Sequence, residues 1–181
     1  MCGIAGYHGG NIAPERAADH LRRMAAALRH RGPDGEGILV RSDTGLAHTR
    51  LSIVDLADGA QPMTAMDGAL AVSFNGEIFN YVELRDDLKR RGHRFRTTSD
   101  TEVLLAAYAE KGLDCLAGFN GDFAFALHDA RTRTLVLARD RMGVRPLFYT
   151  EHDGALFFAS EIKALLALPG IAAEIDPIAL D

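Results

Sequence analysis

Apolar and polar positions along the chain fall into two rhythms. Residues 2–9, CGIAGYHG, are apolar and glycine-punctuated and read as a strand. From 14 to 29 the period lengthens: Leu21, Met24, Ala25 and Leu28 recur at helical spacing, and Pro14 suits a first helical turn. Residues 30–37, HRGPDGEG, are dense in glycine and proline and read as a loop. GILVRS (37–42) and GLAHTRLSIV (45–54) predict two strands joined by a turn over 42–45. DLADGAQPMTAMDG (55–68) reads as a second loop region, and ALAVSFNGEI (69–78) as a strand ending in a turn. Two helices follow, over 81–91 with Leu84 and Leu88 on one face, and over 100–111 with Val103, Leu104 and Ala107 inward. Asp100 stands where an N-cap would. After GFNGD, the segments 123–129, 134–138, 147–150 and 155–160 predict four more strands, and EIKALLAL (161–168) a short helix. Pro169 and Pro177 punctuate an irregular tail. Strands in hairpin-like succession, with helices grouped between them, imply antiparallel pairing and an α+β class rather than a doubly wound α/β one.

Composition narrows the class. A chain of 181 residues suggests one domain, able to bury roughly 70 % of its unfolded surface without a disulfide or metal. With 20 basic and 25 acidic residues the net charge is −5, and this mildly acidic balance argues against a nucleic-acid partner. No apolar run is long enough to span a bilayer and no secretion signal is visible, so no membrane partner is expected. The two cysteines, Cys2 and Cys115, are expected as free thiols in a cytoplasmic setting. Phosphate-loop, dinucleotide-loop, HExxH, CxxC and GxSxG motifs are all absent, and the seven histidines lack metal-ligand spacing.

What chemistry remains begins at Cys2. A thiol attacks a carbonyl as thiolate, and a free one titrates near about pH 8.5. An α-amino group titrates near about 7.7–8. If Met1 is cut away, Cys2 carries nucleophile and base on one residue. The plain alternative is an N-terminal strand with a small buried residue. Gly3 and Gly6 weigh toward the first reading, since they let backbone and substrate approach closely.

Eight motifs make the case specific: MCGIAG, HRGPD (30–34), RLSIVD (50–55), SFNGEIFNY (73–81), TTSDTE (97–102), GDFAFALHD (121–129), DRMGVRPLFY (140–149) and SEIKAL (160–165). In this order, over about residues 2–168, they resemble the glutaminase domain of glutamine-hydrolysing asparagine synthetases, which are class II glutamine amidotransferases. The resemblance implies the N-terminal nucleophile fold, a four-layer αββα sandwich of two antiparallel sheets between helices. It implies that Cys2 attacks the side-chain amide of glutamine, that its amine relays the proton to the leaving nitrogen, and that a thioester is then hydrolysed. Asn75 and Gly76 are implied as oxyanion donors, worth about 10²–10³ in rate each. An Asn-Gly pair also suits a plain turn at a strand end. Arg50 is implied as clamp for the α-carboxylate, Asp100 with help from Glu77 as ligand of the α-ammonium, and Val54 as a backbone contact to substrate. Arg31 and Asp34 either buttress the Cys2 amine or hold their loop. Cys115 is expected as a buried structural thiol, and His48 and His128 as satisfied strand residues.

The resemblance also divides the chain: a glutaminase domain over 1–168, and over 169–181 the start of a connector to a synthetase domain not present here. No cofactor is expected within these residues; ATP and magnesium are implied for that absent domain. The implied partners are glutamine and the synthetase domain, with room left for a homodimer. The expected product is ammonia for asparagine synthesis or a related amidation. Two rival readings are an amidohydrolase of another amide and a non-catalytic glutamine-sensing module.

Overall fold

The computed structural model describes residues 1–52 and 59–174. Strand β1 (Gly3–Gly9) leads into helix α1 (Pro14–Leu28), then β2 (Gly35–Val40), β3 (Thr44–Arg50), β4 (Met63–Ala65) and β5 (Leu70–Ile78). Helices α2 (Tyr81–Arg90) and α3 (Asp100–Lys111) follow, with a 3₁₀ segment, Gly112–Gly118. The last described elements are β6 (Gly121–Asp129), β7 (Thr134–Arg139), β8 (Phe148–His152), β9 (Ala155–Ala159) and α4 (Ile162–Leu166). Two sheets result, with strand orders β2-β3-β1-β9-β8 and β4-β5-β6-β7, and every ladder in both is antiparallel.

Alternation along each strand sorts side chains between two faces. From β1, Ala5 and Tyr7 face out and pack with Leu21, Met24 and Leu28 of α1 and Leu165 of α4. From β5, Leu70, Val72, Phe74 and Ile78 pack with Val103, Leu104 and Tyr108 of α3. The opposite faces meet each other: Leu46, Ala71, Ala126 and Phe158 form the layer between the sheets. The Phe158 ring lies so close to Gly6 that a Cβ there would overlap it. The order is helix, sheet, sheet, helix, as the resemblance implies. Among the described residues no helix is long and apolar enough to cross a membrane.

Several local expectations differ from the structure. The region 55–68 contains β4, three residues held by pairing Met63 with Val72 and Ala65 with Leu70 of β5. The first strand after HRGPD begins at Gly35, within the expected loop, because Gly35 and Glu36 pair with Arg50 and Thr49. Asn75 and Gly76 lie inside the β5–β6 ladder, opposite Ala124 and Phe123, and not in a turn. The N-cap of α3 is Ser99, whose Oγ accepts from the Thr101 N–H at 3.1 Å; Asp100 is the first helical residue.

Candidate active site

The ends of the two sheets meet around a cavity of about 120 Å³. Cys2 and Arg50 reach it from the five-stranded sheet, Asn75, Gly76 and Glu77 from β5, and Asp100 from the start of α3. Six of the seven residues to which the resemblance gives a catalytic or substrate-binding role therefore line one space. Val54 lies outside the described residues.

Cys2 stands one residue before β1, whose Gly3 pairs opposite Thr49. Its Sγ sits against the backbone just past β3: the Leu51 N–H donates to it at 3.4 Å, and the thiol faces the Leu51 carbonyl at 3.7 Å. The Cys2 carbonyl accepts from Arg31 Nε at 2.9 Å. Asp34 accepts from the Ser52 N–H at 2.8 Å. Arg31 thus grips the Cys2 carbonyl, a contact that neither of its two expected roles names, while Asp34 secures the chain just past β3. Met1, half exposed, also lines the cavity.

Asn75 comes to the cavity through strand alternation. Ala71, Ser73 and Asn75 lie on the β5 face opposite Leu70, Val72 and Phe74, which pack on the helices. Asn75 is 1 % exposed, and its Nδ2 has no hydrogen-bond partner among the described residues. Buried donors are almost always satisfied, and among the unpaired buried atoms of the described residues this is the one carboxamide, set where it lines the cavity. Gly76 follows with a φ of 154°, and a Cβ there would overlap the Asp122 carbonyl oxygen. The β5–β6 approach at this point admits glycine alone.

The cavity has a cationic and an anionic side. On the first, the charge of Arg50 adds to burial in holding His48 down to about 3. His48 is consequently neutral; Ser73 Oγ donates to the Ala47 carbonyl at 3.0 Å and accepts from His48 Nδ1 at 3.2 Å. His48 Nε2 has no hydrogen-bond partner among the described residues, whereas His128 Nε2 faces Asp43 Oδ1 at 3.5 Å, so of the two strand histidines His128 is the one held by partners at both ring nitrogens. On the anionic side, Asp100 is buried and its carboxylate accepts from the Ile78 N–H at 3.0 Å. Burial pushes this carboxyl up, the Ile78 and other backbone donors pull it down, and the charge of Glu77 adds to the rise. Two carboxylates sharing a site in this way gain from a bound cation.

Sequence reasoning did not single out Leu51, Gln61, Thr101 or Arg145, which also line the cavity. Gln61 accepts from the Phe74 N–H at 2.7 Å and donates to Thr101 Oγ1 at 3.4 Å, tying its loop to β5 and α3. Arg145 is paired with Asp122 at 3.0 Å. Leu51 acts through its backbone, which leaves no trace in residue type.

One group of metal-ligand types exists among the described residues: His8, Asp43 and His128, at the far end of β1 from Cys2. Arg41 meets His128 Nδ1 at 3.2 Å and Arg133 meets Asp43 at 3.4 Å. A cation there would face two guanidiniums, so the group reads as an ion-pair cluster.

A family model described as "Glutamine amidotransferase domain" matches residues 1–181. "Asparagine synthetase [glutamine-hydrolyzing] 3" of Bacillus subtilis (strain 168) is 42 % identical over 178 residues, covering 97 % of this chain and 29 % of that protein. "Asparagine synthetase [glutamine-hydrolyzing] 2" of the same strain is 45 % identical over 173 residues, covering 93 % and 23 %. The chain thus spans less than a third of the length of these curated relatives. A solved structure of glutamine phosphoribosylpyrophosphate amidotransferase from B. subtilis, complexed with ADP and GMP, superposes with a TM-score of 0.74 at 24 % identity, over 92 % of this chain and 43 % of that one. This likeness concerns the fold. The chain belongs to the glutamine amidotransferase domain family, as a homologue of the N-terminal glutaminase domain of glutamine-hydrolysing asparagine synthetases.

Proposed function

We propose that this chain hydrolyses the side-chain amide of glutamine to glutamate and ammonia. The observation that carries the reading is the single cavity lined by Cys2, by an amide donor without a partner on Asn75, and by charges of opposite sign at Arg50 and at Asp100 with Glu77. With Met1 removed, Cys2 Sγ attacks the amide carbon. Asn75 Nδ2 and the Gly76 N–H hold the oxyanion that forms. The Cys2 amine takes the thiol proton and passes it to the leaving nitrogen. Ammonia departs, and water cleaves the thioester to give glutamate. Arg50 takes the α-carboxylate; Asp100 and Glu77 take the α-ammonium. Val54 is proposed as a backbone contact on the segment beyond Ser52.

In the whole protein we propose that the ammonia feeds an ATP-dependent amidation carried by residues beyond this chain, with asparagine as the product its relatives' names suggest. The loop over 140–147 turns Met142 and Val144 outward beside Arg145, and this apolar edge would face the rest of the protein. The free thiols fit a cytoplasmic setting.

The test is ammonia release by the chain freed of Met1, with three substrates: glutamine, its analogue lacking the α-carboxylate and its analogue lacking the α-amine. Glutamine should exceed each analogue by at least about 100-fold in kcat/KM, since each analogue lacks one of the two charges the site is proposed to recognise. Faster turnover of either analogue would point to an amidohydrolase of another amide. Binding of glutamine without any ammonia release would point to a sensing module.

A further inference from the structure

Once Met1 is gone, residue 2 ends the chain, and chain ends fray unless they are tied down. The ties come from the segment that joins β9 to α4. The Ser160 N–H donates to the Ile4 carbonyl at 2.8 Å, and Ser160 Oγ accepts from the Ile4 N–H at 3.0 Å. The next residue, Glu161, accepts from Arg31 Nη1 at 2.9 Å, and Arg31 Nε in turn donates to the Cys2 carbonyl at 2.9 Å. Ser160 therefore clasps the backbone of residue 4 directly, and Glu161 reaches that of residue 2 through Arg31.

Arg31 has a long side chain with many rotamers, and aiming Nε at one carbonyl means losing that freedom. Its side chain is 8 % exposed, so its orientation is set by neighbours rather than by water. Glu161 is the neighbour with the matching charge. It is held from three sides, by Arg31, by Lys163 at 3.1 Å and by His30 at 2.9 Å. Burial pushes its carboxyl up, but these hydrogen bonds together outweigh burial and hold it at about 2. Arg31 and Glu161 do not line the cavity with Asn75 and Asp100; they line an adjoining groove with His30, Pro33 and Leu51.

We propose that Glu161 is a positioning residue for amide hydrolysis. Acting through Arg31, it fixes the carbonyl of Cys2, and with it the direction in which the thiol and the freed amine of that residue enter the cavity. A misplacement of about 1 Å in a reacting group can cost as much as about 100-fold in rate. The loss should fall on kcat, because the groups that hold glutamine lie on other elements. This inference rests on the glutaminase reading.

The experiment measures ammonia release from glutamine by the chain freed of Met1, with Glu161→Gln, Arg31→Gln and the double variant. Glu161→Gln should lower kcat about 10–100-fold, leave the KM for glutamine within about twofold, and melt near the wild-type temperature. The double variant should lose no more than Arg31→Gln alone, because both act along one path. If Glu161→Gln does not fold, Glu161→Asp keeps the charge but shortens the reach, and should fold with an intermediate kcat. A wild-type kcat in whichever variant folds overturns the inference, and so do additive losses in the double variant. Failure of the processed wild type itself to release ammonia sinks the glutaminase reading and takes this inference with it. An active wild type alongside an unaffected Glu161 variant sinks the inference alone.

Discussion

At Asn75 a buried amide nitrogen has no partner among the described residues, and leaving such a donor unpaired costs about 1–3 kcal/mol. That cost is recovered if an oxyanion forms in front of it during reaction. Asn75→Ala should therefore lower kcat by about 10²–10³ in a steady-state ammonia assay, with little change in KM. Asp100 gives a second test. Burial first, and then the charge of Glu77, raise its carboxyl above the ordinary range. A carboxyl raised on folding favours stability at pH below its unfolded value, and that contribution is lost as pH rises through its folded value. At neutral pH the ionised group is thus a burden on the fold. Asp100→Asn should raise the melting temperature at pH 7 while weakening glutamine binding. In the wild type, KM for glutamine should climb as pH falls through the raised value, and the variant should lack that climb. At this scale the resemblance named Cys2, Arg50 and Asp100, and the structure brings all three to one cavity. Leu51 went unseen because it meets the Cys2 thiol through its backbone. Arg145 went unseen because its place depends on a loop built around another residue.

That residue is Asp140, which organises the connection between β7 and β8. Buried itself, its carboxylate accepts from the N–H groups of Phe123, Met142, Val144 and Arg145 at 2.9–3.3 Å. Burial pushes its carboxyl up, and these backbone donors outweigh burial and hold it below the ordinary carboxylate range. A depressed carboxyl stabilises the fold above its unfolded value, near about 3.9, and that stability is lost as pH falls through the folded value. Asp140→Ala should cost about 3 kcal/mol in urea unfolding at pH 7, with the gap to wild type closing in acid. Most other elements were legible from periodicity, since β1, β5, α1 and α3 each carry enough apolar residues on one face to fix their type. The exceptions have physical causes. β4 is three residues long and exists through its pairing with β5. The N-cap of α3 fell on Ser99 rather than Asp100 because the aspartate's carboxylate is drawn across to Ile78 of β5. Asn75 and Gly76 carry a turn signature, yet the ladder to β6 continues through them.

On the scale of the whole molecule, the site exists because two sheets are stacked. Cys2 and Arg50 belong to one sheet, Asn75 and Gly76 to the other, and Leu46, Ala71, Ala126 and Phe158 hold the two in register. Composition and periodicity led only as far as an α+β class; the stacking of the sheets was legible through the ordered set of motifs, not through any single strand. The central claim concerns the first two residues: sulfur and a freed amine on Cys2 act together. The direct measurement compares two preparations of this chain, one retaining Met1 and one freed of it, each verified by intact mass and assayed for ammonia release from glutamine. Release by the shortened form alone is expected. Equal release by the form that keeps Met1 would contradict the claim, because its Cys2 nitrogen is an amide whose lone pair is delocalised into the carbonyl and is not basic enough to carry the proton.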